Sequence, residues 1–592
     1  MFLRAKTRFK DGKEHRYWSI VENRRSTQGR VVQRQVLYLG EINDSQHSAW
    51  CKALEVLGGE GSGPARQMAI FPHDREPPEA LDCEVVQVRL GELELHRARQ
   101  WGACWLAHEL WKQLEFDQFW APHLLPSRQG TRWLNVFKTL VCYQLIDPGS
   151  EWRLHRQWYE HSAMGDMLGE GDALVQLDKL YRCLDKVVVH KRAMFSYLHE
   201  RWQSLFDVGF EVLLYDLTST YFECDPPEDG KRRFGHSRDK RSDCVQVVIA
   251  LVVTPEGLPL AYEVMAGNTN DSTTLAGFVE KIEHQYGRSN RVWVMDRGVP
   301  TEATLRAMRE ASYPVHYLVG TPRGRLSKLE QEFVTLPWET VRESVQVKLL
   351  EHAGELYVLA KSTPRVHKER AMRRRRLKKL WARLHELQGQ KLTRDALLLK
   401  LGAAKKDAGR AYTLVELELP EPHHSVSAET FRFRLCKEKL RVVRRREGRY
   451  LLRSNLCEED PAKLWRFYTQ LTQVEQAFKE LKGDLNIRPI FHQKDSRIEA
   501  HIFIAFVAYC LQVTLKQRLR ALAPGLTPAA VLEKFAAMQM VDVHVPTTDG
   551  RHLVLSRYTQ PDPDQKLLLQ EMKLELPAQP PPKIYDRHKR AS

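Results

Sequence analysis

The feature that most constrains this chain is a change of hydrophobic period near residue 210. Downstream of it, EVLLYDLTS, CVQVVIALVV, GLPLAYEVM, RVWVM and VHYLVG are short apolar runs rich in β-branched residues. The segments Ser272–Tyr286 and Thr301–Ala311 carry helical spacing, and the Pro255-Glu256-Gly257 turn joins the second and third runs as a hairpin. The order strand, hairpin, helix, strand, helix, strand predicts an α/β layered domain. Its mixed sheet would combine an antiparallel hairpin with parallel strands joined by helices.

Around that block the composition shifts several times. Residues 1–60 form a small basic β-leaning region, with RYWSIVE and VVQRQVLYLGE on either side of a polar turn. Residues 61–95 read as a linker and short strand, the stretch 57–80 being rich in Gly, Pro and charge. Residues 96–205 have apolar spacings of three and four and predict a helical domain of several elements. The core then occupies 206–320 and, after an interruption, 461–525. Between them, 321–460 alternates apolar and polar residues and reads as a mostly β insertion with one basic helix, HKERAMRRRRLKKLWARLHELQ. Residues 526–592 are a C-terminal extension whose tail after about 570 reads as flexible.

With 592 residues the prior is about four domains. Lys and Arg number 91 against 75 Asp and Glu, and the surplus of +16 attracts polyanions by steering and counterion release. The longest apolar stretches, near Val245–Val253 and Ile502–Val513, fall short of the ~20 residues of a spanning helix, which argues against a membrane protein. The start, MFLRAKTRFKDGKEHRYW, carries charge where a signal peptide carries its apolar segment. Ten cysteines without any C-x-x-C pair fit neither a zinc module nor a disulfide scaffold and predict a reducing, cytoplasmic compartment.

Three acids stand on legible positions. Asp216 is expected at the end of the strand EVLLYD, and Asp296 at the end of RVWVM before an Arg297-Gly298 turn. Glu475 lies on a long helix, RFYTQLTQVEQAFKELKGDL. Two acids at strand ends and a third from a helix can converge on hard divalent cations; oxygen donors suit Mg²⁺ or Mn²⁺, and no His/Cys cluster is visible that would favour zinc. Two such ions could activate the attacking oxygen and stabilise the leaving oxygen of a phosphodiester. Taken singly, each acid is better explained as a cap, a turn or a solvated helix residue; the three together, in this strand order, shift the balance. Tyr468, Glu475 and Lys482 are spaced seven and seven, so one continuous helix puts them on one face with only ~20° of drift per heptad. Phe467, Leu471, Val474, Phe478 and Leu481 form the adjacent apolar stripe. The four arginines Arg373, Arg374, Arg375 and Arg376 cover all sides of a helix, which suits phosphate-backbone contact better than a single solvated face.

The strings YDLTSTYFE, FGHSRDKRSDCVQVVIAL, AGNTNDSTTL, VMDRGVPTEATL and RPIFHQKDSRIEAHIFIAFVAYCLQ resemble the DDE transposases of bacterial insertion sequences, nearest to the IS-four-like class. The resemblance runs from about Glu211 to Ala521. It implies a multidomain α/β protein with a ribonuclease H-like catalytic core interrupted by a β-rich insertion before the final Glu. Position by position, Asp216, Asp296 and Glu475 match the catalytic, metal-holding acids, and their separations of 80 and 179 positions leave room for that insertion. Tyr468, Glu475 and Lys482 match the Tyr-x2-Arg-x3-Glu-x6-Lys signature, but Leu471 stands where the signature has Arg. Lys479, four residues from Glu475, and Arg466 are the basic residues able to replace that contact.

The resemblance implies a transposase that cuts DNA at the ends of its own element and transfers the 3′ ends to a target by hydrolysis and transesterification. It also implies two Mg²⁺ or Mn²⁺ ions, a hairpin intermediate, and a homodimer on paired ends of double-stranded DNA at the bacterial nucleoid. Tyr468, Lys479, Lys482 and Arg373–Arg376 are the expected DNA contacts. The rivals are a ribonuclease H-like nuclease without strand transfer and a DNA-binding protein whose acids no longer catalyse.

Overall fold

The computed structural model describes residues 2–10, 13–25, 31–41, 47, 87–287, 289–296, 298–311, 315–321, 329, 331–456, 460–488 and 490–585. The Gly- and Pro-rich stretch 57–80 and Arg297 of the expected turn lie outside them. The chain divides into two compact units. The first comprises Met1–Lys6, Tyr17–Ser289 and Thr472–Ser592, the second Thr7–Arg16 and Asn290–Leu471.

Strands β1 (Phe2–Lys10), β2 (Lys13–Arg25) and β3 (Val31–Gly40) make a three-stranded sheet in that order. The two N-terminal runs read from sequence are β2 and β3, paired antiparallel. After β4 (Glu94–Gln100), helices Gly102–Gln113, Trp133–Ile146, Leu177–Val187 and Lys191–Phe206 dominate the region expected to be helical. Strands β5 (Val212–Phe222), β6 (Val245–Val253) and β7 (Pro259–Ala266) then pair antiparallel, followed by the helix Asp271–Tyr286. All nine residues of β6 are buried, as expected of a strand with both faces covered.

In the second unit β8 (Val292–Met295), the helix Glu302–Glu310 and β9 (His316–Gly320) form the parallel crossover that the apolar runs predict. β10 (Glu339–Arg342), β11 (Val345–His352) and β12 (Glu355–Ser362) follow, then the β13–β14 pair (Val415–Glu418, Arg432–Leu435) and β15 (Arg449–Ser454). Six of these strands lie in the order β10-β11-β12-β15-β9-β8, a large mixed sheet that is parallel only between β8 and β9.

The expectation of a mostly β insertion over 321–460 is corrected here. Beside its strands the described residues of the region include the helices Thr363–Gln388, Arg394–Ala408 and Lys437–Arg446. The first two pack through Leu380, Leu384, Leu387, Leu397 and Leu401 into a core of their own. Thr393 starts the second helix by accepting the Ala396 amide, and Gly409, at positive φ, ends it.

The chain returns to the first unit with helices Leu471–Lys482, Asp495–Leu522 and Pro528–Ala536. The helix Asp495–Leu522 is long and apolar enough to cross a membrane by length and composition, which a count of uninterrupted apolar residues missed. Its most apolar window is 89% buried inside the protein, so it is a core helix. The extension closes as β16 (Gln539–Pro546), β17 (His552–Tyr558) and β18 (Lys583–Tyr585), in the order β18-β17-β16-β4. The tail read as flexible is therefore tied in as far as Tyr585: Gln579 exchanges hydrogen bonds with the Tyr558 backbone, and Lys583–Tyr585 pair with β17.

Candidate functional site

Asp216 is the fifth residue of β5, not its last. The strand continues through Leu217-Thr218-Ser219-Thr220 because the apolar Leu217 and the β-branched or small residues after it are buried and paired with β6. Directly paired residues share a face of the sheet. Asp216 pairs with Leu251, and Leu251 with Tyr262, so all three point to the same side. Leu251, Tyr262 and Thr218 line a small cavity with Phe478, Leu481 and Lys482 of the helix Leu471–Lys482. The Glu475 helix thus covers the sheet face on which Asp216 stands.

The same helix is anchored at both ends within this unit. Near its start, the Gln473 side chain approaches Gly257 in the β6–β7 turn and accepts a hydrogen bond from Arg520 at 3.0 Å. Val474, Ala477, Phe478 and Leu481 are buried, while Glu475 and Lys479 are exposed. At its end, Lys482 Nζ donates to Asp239 at 2.8 Å, and Arg488 bonds the same carboxylate. Burial acts to raise the Asp239 carboxyl, but the hydrogen bonds from Arg488 and Lys482 outweigh it and hold the group below the usual carboxylate range.

Two expectations about this helix change. Tyr468 and Glu475 do not share one continuous helix. One helix spans Pro461–Thr469, the next begins at Leu471, and Gln470 between them turns its N–H back to the Arg466 and Phe467 carbonyls. Lys482 does not stand open at a rim; its side chain is 12% exposed and its ammonium is engaged by a 10% exposed carboxylate. Lys482→Ala is accordingly expected to cost about 1–3 kcal/mol of stability by leaving that carboxylate half satisfied. Urea denaturation checks this; an unchanged midpoint would mean Arg488 alone suffices.

Asp296 follows β8 directly, at the carboxyl end of a parallel strand, and is exposed. Ligands of open α/β sheets bind at such ends. Its carbonyl accepts the Val299 N–H at 3.2 Å, so the chain turns immediately toward the helix Glu302–Glu310. That helix is capped by the Thr301 hydroxyl and tied to the sheet behind it by an ionic cluster centred on the buried Glu355. Arg453 donates to Glu302 and Glu355, and Arg309 and Tyr317 donate to the same Glu355.

The basic run also divides. Arg373 is buried and paired with Glu447 at 2.6 Å, so it belongs to the interior of the second unit and leaves the expected set of phosphate contacts. Arg374, Arg375 and Arg376 are exposed. Arg376 lines a cleft with Arg365, Lys368, Arg410, Arg446 and Arg449, where only Glu369 and Glu447 oppose the positive charge. Tyr450, another wall residue, carries the Arg365 guanidinium on its ring and meets the half-buried Tyr468 edge-on at 6.2 Å. Tyr468 therefore belongs beside this cleft. Sequence reasoning did not find the cleft, because its cations come from four separate segments.

It also missed Glu151, His492 and His501, whose ligating atoms lie within 4.8 Å of one another in the first unit. No spacing could have signalled a carboxylate 341 residues from its imidazole partner. The expectation that no such cluster exists holds for the linear sequence and fails for the fold.

Residues 211–511 match the family described as "Transposase DDE domain", and residues 3–55 match "IS1634 family transposase, N-terminal domain". No curated protein matches. Among solved structures, the chain is similar to "Cryo-EM structure of piggyBac transposase synaptic complex with hairpin DNA (SNHP)" at 9% identity and a TM-score of 0.33, covering 73% of this chain and 76% of that one.

Proposed function

This chain belongs to the DDE transposase family, and from that premise we propose that it cleaves DNA at the ends of its own insertion sequence and joins the freed 3′ ends to target DNA, with Asp216, Asp296 and Glu475 as the acids that act together. The observation that carries this reading is that Asp216 faces the side of the sheet covered by the Glu475 helix. The position of Asp296 at a strand's carboxyl end supports it.

The three carboxylates offer only oxygen donors, the set that Mg²⁺ or Mn²⁺ takes. When bound, two such ions supply activation of the attacking oxygen and neutralisation of the leaving one. The chain's own part is placement. β5 holds Asp216 half-buried among apolar neighbours, and the anchors at Gly257 and Asp239 fix the axial position of Glu475. Lys479, exposed one turn beyond Glu475, is the cation closest along that helix and replaces the signature Arg absent at Leu471. Lys482 acts through Asp239 as a positioning residue unless DNA phosphate displaces that carboxylate. The exposed arginines Arg374–Arg376 and the cleft beside Tyr468 hold the duplex backbone, and two copies act on paired ends.

A gel assay with labelled element ends and Mg²⁺ tests the reading. Joined products support it, cleavage without joining reduces it to a nuclease, and a shifted band alone leaves only a DNA-binding protein. Salt dependence tests the basic surface. Replacing Arg374, Arg375 and Arg376 by Gln is expected to flatten the log–log salt slope by about 0.9 per lost phosphate contact and to weaken all sequences alike. An unchanged slope would return these side chains to a solvated face.

A further inference from the structure

The Glu151, His492 and His501 cluster draws on three segments of the first unit. Glu151 opens the short helical turn Glu151–Arg153, capped by the Ser150 hydroxyl; His492 lies in the loop before the long helix Asp495–Leu522, and His501 on its second turn. Their side chains are 12%, 8% and 12% exposed. His492 Nε2 is 3.0 Å from Glu151 Oε1, and His501 Nδ1 is 3.9 Å from the same oxygen.

The second distance is too long for a hydrogen bond, and His501 Nε2 is buried without a partner. Burying an imidazole so poorly satisfied is costly. Donors bound tetrahedrally at about 2.0–2.1 Å stand roughly 3.3 Å apart, so the three atoms need only small shifts to share one ion. Two nitrogens and one carboxylate oxygen suit zinc and disfavour Mg²⁺. Tyr181 closes one side, its ring edge-on to His492 at 6.0 Å, with the Arg497 guanidinium on its face.

We propose that Glu151, His492 and His501 bind one zinc ion that braces the helical region to the long core helix. The ion replaces the long Nδ1 contact of His501 with a bond and joins segments hundreds of residues apart. It shares no residue with the acid set, and the inference does not rest on the proposed reaction.

Purified full-length protein, dialysed after zinc loading, is expected to retain about one zinc per chain by mass spectrometry. X-ray absorption should show imidazole nitrogen in the first shell. Asp216→Ala should keep the ion, whereas Glu151→Gln and His501→Ala should reduce its occupancy at least tenfold and abolish the rise in unfolding temperature that zinc gives the wild type. Wild-type protein that retains no zinc, a first shell without imidazole, or full occupancy in both variants would each overturn the proposal. If either variant fails to fold, the wild-type occupancy and first shell still decide.

Discussion

Asp296→Ala is expected to lower the rate of end cleavage by on the order of 10³–10⁴-fold while affinity for element ends stays within a few-fold of wild type. The lost carboxylate is exposed at the end of β8, and the strand behind it is fully buried, so the substitution removes charge without opening the core. Glu475→Ala should behave alike, because the helix is seated by the buried Val474, Ala477, Phe478 and Leu481, which the substitution leaves in place. Asp216→Ala should lose cleavage equally. Radiolabelled end substrates report cleavage, and gel shifts report binding. Retained cleavage in Asp296→Ala would end the assignment; loss of binding with cleavage would mark a structural role instead.

Glu355→Ala is expected to destabilise the second unit by about 3–5 kcal/mol. The Glu355 side chain is 3% exposed and is the shared counter-ion of Arg309 and Arg453, the latter 5% exposed. It also accepts from Tyr317, whose hydroxyl is pushed up by burial and by the neighbouring carboxylate and so stays protonated. Removing the carboxylate takes the shared acceptor from the buried Tyr317 hydroxyl and from Arg453, which keeps only Glu302. The joint replacement Glu355→Leu with Arg453→Met removes charge on both sides and should recover part of the loss. Urea unfolding followed by tryptophan fluorescence reads both, and a single variant within 1 kcal/mol of wild type would show that the cluster contributes little.

Much of the fold was legible because burial writes itself into short apolar runs. β6, β7, β8 and β9 stand where CVQVVIALVV, GLPLAYEVM, RVWVM and VHYLVG predict them. The failures have local causes. Asp216 was placed at a strand end because a charge usually stops an apolar run, yet Thr218-Ser219-Thr220 continue the strand with small polar side chains that can be buried. DALLLKLGAAKKDA is a capped helix whose Thr393 and Gly409 signals were present but outweighed by the alternation on either side. The Gln470 break leaves no mark that composition can show. Arg373 could not be told from Arg374, since what separates them is Glu447, 74 residues away. Of the candidate site, the identities of the acids were readable; the cleft, the Asp239 anchor and the histidine pair depend on contacts between distant segments.

The division of the first unit has a consequence in time. The face formed by Asp216, Leu251 and Tyr262 is complete once β7 has been made, but its cover, the helix Leu471–Lys482, lies beyond the whole second unit. At about 5–20 residues per second, the roughly 200 intervening residues take on the order of 10–40 s to synthesise. During that interval an apolar sheet face waits uncovered on the ribosome while the second unit can fold. Slowing translation between β7 and that helix should therefore increase aggregation of the nascent chain, and a chaperone that shields strand faces should matter most in that window.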